Sequence, residues 1–304
     1  ARRLDPAGIA SFTTAMFGLT WGLINGQAHG WGSASALLGF IGGALALAIF
    51  IVAERSQQRP MLDLQLFSNP RFVGAVWAMF AYAAQVMASM LPLFLQNGLG
   101  RSALEAGFAM LPFALAMLLF PQVGRILGNR LSSRAILMIG LVLVGIGNAS
   151  TAWGAQLGAW SLVMVGMLVL GSGGGLLNGE TQKAIMSVVP RERAGMASGI
   201  STTSRFSGIL LGFALLSGVL ATAVRGRLLD PDCGTSCTSR SAFADAVIAG
   251  DLPQAVAGLT AHARELAIEH ARTAFSFGFS IALLTAAVFA LVSSFFVYRL
   301  MRTR

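Results

Sequence analysis

The sequence predicts an all-α membrane protein with eight transmembrane helices, and three observations carry that prediction. Of 304 residues, 55% are hydrophobic and only 11% charged, with a mean hydropathy of +0.72. Soluble domains carry about 25% charged residues, so this chain lacks the side chains to cover a water-facing surface and needs lipid as its outer solvent. Eight apolar runs are long enough to cross a hydrocarbon core of about 30 Å, which takes about 20 residues per helix. No run alternates with period two, which excludes a closed β-barrel.

In chain order the expected spans are 8–26, 35–53, 72–96, 105–124, 135–153, 160–189, 194–224 and 273–300. Pro92, Pro112 and the glycines from Gly171 to Gly179 fall inside spans; membrane helices tolerate them because neighbouring helices satisfy the freed backbone groups. The chain opens on Ala1 with no signal-peptide pattern, and Arg2 and Arg3 directly precede the first run. It reads as a fragment whose upstream part is missing.

The basic residues lie between the runs and form no basic face, so the net charge of +9 points to topology and excludes nucleic acid as a partner. On the N-terminal side, the ends and loops carry Arg2, Arg3, Arg55, Arg59, Arg71, Arg125, Arg130, Arg134, Lys183, Arg191, Arg193, Arg299, Arg302 and Arg304. The opposite side has only Arg101 and five arginines of one long loop, which weigh little in this rule. Both ends are therefore expected in the cytoplasm. The long loop, 225–272, is extracytoplasmic and holds Cys233 and Cys237 in "PDCGTSC". A disulfide between them fits that compartment, and two thiols are too few for a zinc site. Histidines 262 and 270 lie in the loop and His29 elsewhere, so no three-histidine site is expected. No metal or cofactor is expected, and no catalytic cluster with nucleophilic spacing marks an enzyme.

Three segments resemble a known family. "PMLDLQLFSNPRF" (60–72) precedes the third span, "LPLFLQNGLGRSALEAGFAMLP" (91–112) joins the third to the fourth, and "VPRERAGMASGISTTSRFSGILLG" (189–212) opens the seventh. In that order they resemble the fourteen-span drug:proton antiporters of the major facilitator superfamily, the EmrB/QacA type. The resemblance implies that 1–59 forms two extra linker helices and that 60–304 forms the C-terminal six-helix bundle. The N-terminal six-helix bundle is missing and becomes a partner, beside the lipid bilayer, a small-molecule substrate and protons. It also implies a bacterial inner membrane and efflux of lipophilic or cationic drugs by alternating access; the alternatives are export of a siderophore, amino acid or other endogenous metabolite and, in another class, a non-transporting membrane scaffold or enzyme. A cytoplasmic gating loop falls on Gly124, Arg125, Arg130 and Arg134, in "GRILGNRLSSR". The family's Asp is absent there, which removes any salt bridge that depends on it.

Charges inside spans are costly, at least about 2.5–3.5 kcal/mol at a helix centre, so they mark cavities or ion pairs. Glu180 lies ten residues before Pro190 and Arg205 eleven after Ala194, each about 15 Å deep at 1.5 Å per residue, so the two are expected to meet. Lys183 shares the face of Glu180. The group reads either as a proton or substrate site or as a structural cluster offsetting its own desolvation. On the third span, Ala78, Tyr82, Gln85 and Ser89 form a polar stripe flanked by Phe80, Met87 and Met90, expected to line a watered cavity. Gly171, Gly175 and Gly179, Gly208 and Gly212, and Gly195 and Gly199 recur four apart, the spacing of close helix packing. They are no phosphate loop, which would need a preceding strand and a G-K-[ST] ending. The fifth and eighth spans carry no charge and are expected at the lipid-facing periphery.

Overall fold

The computed structural model describes residues 6–56, 64–228 and 240–302. All regular structure among them is helical. Helices α1 (Pro6–His29) and α2 (Ala34–Ser56) pack on each other. A short 3₁₀ turn, Leu64–Ser68, leads into α3 (Pro70–Ala83) and α4 (Met87–Asn97). Then follow α5 (Ala103–Ala109), α6 (Leu111–Leu127), α7 (Ser133–Leu157) and α8 (Trp160–Val188). After α9 (Ala194–Leu228) come the small helices α10 (Arg240–Ala249) and α11 (Leu252–Ala255), and α12 (Ala261–Leu300) is the last helix described.

Seven membrane-length apolar segments are found among the described residues, with α3–α4 and α5–α6 each counted as one. The first expected span is helical too, as α1, but is not one of the seven. Close backbone approach explains the α1–α2 pairing: a Cβ on Gly39 would stand 2.5 Å from the Gly22 nitrogen, and one on Gly18 would stand 2.8 Å from Gly43. Small residues permit this contact where no hydrophobic drive separates helix from lipid.

The remaining spans surround one core. Helix α8 packs against α6, α7 and α3; α12 packs against α7, α9 and α3. Across their apolar stretches 56% of α7 and 50% of α12 is buried, against 17% of the α5–α6 span. The two helices pack together on one side and keep exposed apolar faces on the other, with Trp153 and Leu157 on α7 and Val288 and Phe295 on α12. Of the two, only α7 touches the cavity described below, through Val144. Hydrogen bonds tie α12 to α7: Ser280 Oγ donates to the Ala152 carbonyl at 3.0 Å, and Ser294 Oγ to that of Met138 at 3.2 Å.

The glycine pattern divides. A Cβ on Gly171 would stand 2.5 Å from the Phe113 carbonyl, and Gly175, Gly208 and Gly212 are similarly crowded, whereas Gly179, Gly195 and Gly199 face nothing within 4 Å. Packing explains the first four and not the last three.

The expected long loop is also shorter than its sequence suggested. Helix α9 runs to Leu228 and α12 begins at Ala261; at 40 residues and 1.5 Å each, α12 is about 60 Å long and overshoots any bilayer core. Between them α10 docks on α9 and α12, burying Ala244 and Val247. Arg225 Nη2 pairs with Asp245 at 2.8 Å, and Arg264 donates to the carbonyls of Val256, Ala257 and Leu259. Cys233 and Cys237 lie outside the described residues.

Candidate functional site

The third span is broken. After Ala83 the i→i−4 ladder is interrupted: Gln85 N–H donates to Tyr82 O at 3.1 Å, Val86 N–H to Ala84 O at 2.9 Å, and Ser89 N–H to Val86 O at 2.9 Å. The cause is tertiary. Gly208 and Gly212 of α9 bring their backbone against Phe80 and Ala84, so α9 wedges into the span where it opens. Pro92 then removes one backbone donor in α4.

A cavity of about 460 Å³ sits at this break. Tyr82, Gln85 and Ser89 line it from the broken span, joined by Met110, Phe113 and Met117, by Leu170 and Gly174 of α8, and by Arg205 and Ile209 of α9. The expected polar stripe thus reaches the cavity in three of its four members; Ala78 is fully buried in the core. The expected flank changes. Phe80, Met87 and Met90 are not in the lining, and Met87 is buried, while Met110, Phe113 and Met117 supply the soft apolar wall.

Sequence reasoning missed Asn148. It is fully buried on α7 and its Nδ2 donates to Gln85 Oε1 at 2.9 Å. Gln85 Nε2 in turn donates to the Ala81 carbonyl at 3.4 Å, so the amide is held at both ends and one N–H remains for the cavity. A lone Asn in an apolar run was the available signal, since a buried amide needs a partner.

Glu180 and Arg205 do not meet. Glu180 is 6% exposed and its Oε2 lies 3.2 Å from Lys183 Nζ, while its Oε1 is buried without a hydrogen bond. Arg205 makes no ion pair or hydrogen bond among the described residues and lines the cavity instead. The reason is depth. Gly140 packs on Leu177 and Gly147 on Leu170, a register that puts Glu180 level with Leu137, one turn inside the start of α7 at Ser133. The cavity touches α8 at Gly174, about 9 Å further along the helix. Counting back from Pro190 misjudged this, because α8 runs on past the end of α6.

Lys183 lies beside the segment expected to form the gating loop. A Cβ on Gly128 would stand 3.1 Å from Lys183 Nζ, and Gly124 packs on Leu176. Arg125 and Arg130 are exposed. The Arg134 guanidinium sits 4.0 Å above the Tyr298 ring, a cation–π contact that ties α7 to the end of α12.

A bundle of membrane-length helices that keeps polar groups round a cavity at the break of one span has the build of a membrane transport protein. The chain belongs to the Major Facilitator Superfamily, whose family profile matches residues 7–213. It is 32% identical over 224 residues to the multidrug resistance protein Stp of Mycobacterium tuberculosis, covering 73% of this chain and 41% of that protein. It is 29% identical over 307 residues to the tetracenomycin C resistance and export protein of Streptomyces glaucescens, covering 96% of this chain and 56% of that one. The chain thus spans about half the length of these curated relatives. Its fold is similar to that of a bacterial homologue of the human lysosomal transporter Spinster in its inward-facing, occupied conformation. The TM-score is 0.57 at 17% identity, over 98% of this chain and 67% of that one. The family, and the export named for the Streptomyces protein, point to a transporter rather than an enzyme.

Proposed function

We propose that the chain is the C-terminal portion of a fourteen-span, proton-coupled antiporter that exports drug-like organic compounds by alternating access. Residues 1–59 form the linker pair and 60–304 the C-terminal bundle. A preceding six-helix half completes the cavity wall, and both ends described here face the cytoplasm of a bacterium across its inner membrane. The two halves rock about the cavity, which opens to one side at a time.

One observation carries this reading: the cavity at the break in the third span. Its size lies within the range of small-molecule sites, and its methionine and aromatic wall adapts to varied apolar shapes. The names of the relatives, a multidrug resistance protein and an antibiotic export protein, agree with organic cargo. Glu180 is the proton carrier of this half: it is a buried carboxylate with one oxygen unpartnered, and Lys183 is its exposed counter-ion at the gating loop.

The test is dye retention in cells of an efflux-deficient host expressing the full-length protein. Retention of an aromatic dye falls several-fold, and a proton ionophore restores it. Retention equal to that of empty cells, or unaffected by the ionophore, overturns the proposal.

A further inference from the structure

We infer that the cavity binds aromatic organic anions, with Arg205 as the group that holds the negative charge. This rests on the transporter reading and names the class of cargo at the same cavity.

Charge is the first argument. Among the residues that line the cavity, Arg205 is the single ionised side chain. A guanidinium at membrane depth costs at least about 2.5–3.5 kcal/mol without a partner. The acidic residue expected to supply that partner is Glu180, and it is committed to Lys183, 3.2 Å away. Among the described residues no carboxylate lines the cavity. This chain thus leaves the guanidinium uncompensated at the cavity, a place that an anionic ligand fills.

Hydrogen-bonding capacity is the second argument. Gln85 has its carbonyl occupied by Asn148 and one N–H by Ala81, which leaves an N–H. Tyr82 has no hydrogen bond among the described residues, so its O–H is free to donate. The Ser89 hydroxyl is spent on the Val86 carbonyl. With Arg205, which has five N–H groups and no acceptor, the free side-chain capacity is weighted towards donors. Carboxylates and sulfonates match it, and charge-assisted bonds to an anion are about twice as strong as neutral ones. Cations meet like charge. The aromatic part of the ligand packs on Phe113, Met110 and Met117.

The experiment compares two ligands with one ring system and opposite charge, naphthalene sulfonate and naphthyl trimethylammonium, by calorimetry on the full-length protein in lipid nanodiscs. The sulfonate binds about tenfold more tightly than the ammonium, a difference of about 1.4 kcal/mol. Arg205→Gln removes that preference, and Arg205→Lys, which keeps the charge and loses the planar fork, retains part of it. The ligand comparison needs no variant, so a misfolded Arg205→Gln leaves it decisive. Equal or tighter binding of the ammonium overturns the inference. So does undetectable sulfonate binding, the result expected if a carboxylate elsewhere in the full-length protein already neutralises Arg205. Arg205→Gln with unchanged sulfonate affinity also overturns it. Sulfonate that binds but is not moved across vesicles contradicts the exporter reading alone; ammonium moved in preference to sulfonate contradicts this inference alone.

Discussion

Asn148 Nδ2 donates to Gln85 Oε1 at 2.9 Å, and this bond joins α7 to the break in the third span. Sixty-three positions separate the two residues in sequence, yet the bond sets the orientation of the amide that faces the cavity. Replacing Asn148 with Leu removes the donor and frees Gln85 to rotate. Interhelical bonds of this kind are worth about 0.6 kcal/mol on average, so the thermal midpoint in detergent falls only slightly. Affinity for cavity ligands falls more, by several-fold. A variant with normal affinity and a large loss of stability would make the bond purely structural.

Gly208 and Gly199 lie on one helix and separate crowding from open space. A Cβ on Gly208 would stand 2.5 Å from the Phe80 carbonyl, whereas one on Gly199 meets nothing within 4 Å. Gly208→Ala is expected to cost about 1–3 kcal/mol through overpacking and to shift the break. Gly199→Ala is expected to be neutral or stabilising by up to about 1 kcal/mol. Chemical denaturation of both variants checks the contrast, and equal effects would argue against the α9 wedge as the cause of the break.

These contacts show where the sequence was legible and where it was not. Spans could be read because the bilayer fixes their length and apolarity, and seven of the expected spans match helical segments to within four residues at either end. The eighth does not: α12 begins at Ala261, a dozen residues early, because Ala-rich text with scattered charge is helical outside lipid as well. The break at Ala84 left no local mark, since it arises from glycines more than 120 positions away on α9. Glu180 was correctly singled out as a buried charge but misplaced in depth, because a residue count along one helix says nothing about where its neighbours end.

Glu180→Gln keeps the shape of the side chain and removes its charge. In the full-length protein we expect proton-driven accumulation of substrate to be lost while exchange between equal concentrations on both sides persists. Paired flux measurements distinguish the two. Intact proton-driven transport would reduce the Glu180–Lys183 pair to a structural role.

Arg264 holds the segment before α12 by donating to three carbonyls, at 3.3, 3.1 and 3.5 Å. Arg264→Ala frees them. Bonds to charged groups contribute about 1.5–3 kcal/mol when well formed, and these are partly exposed, so the lower end applies. Hydrogen exchange over residues 240–260 should quicken about tenfold, with the spans unaffected. Unchanged exchange there would show that docking of Ala244 and Val247 alone secures the segment.

The most direct test of the whole account is solute movement in vesicles containing the full-length protein under an imposed proton gradient, with naphthalene sulfonate, naphthyl trimethylammonium and uncharged naphthol each tried as cargo. The account predicts uphill accumulation of at least one of them, collapsed by a proton ionophore and abolished by Glu180→Gln. Movement of all three no faster than in protein-free vesicles would contradict it.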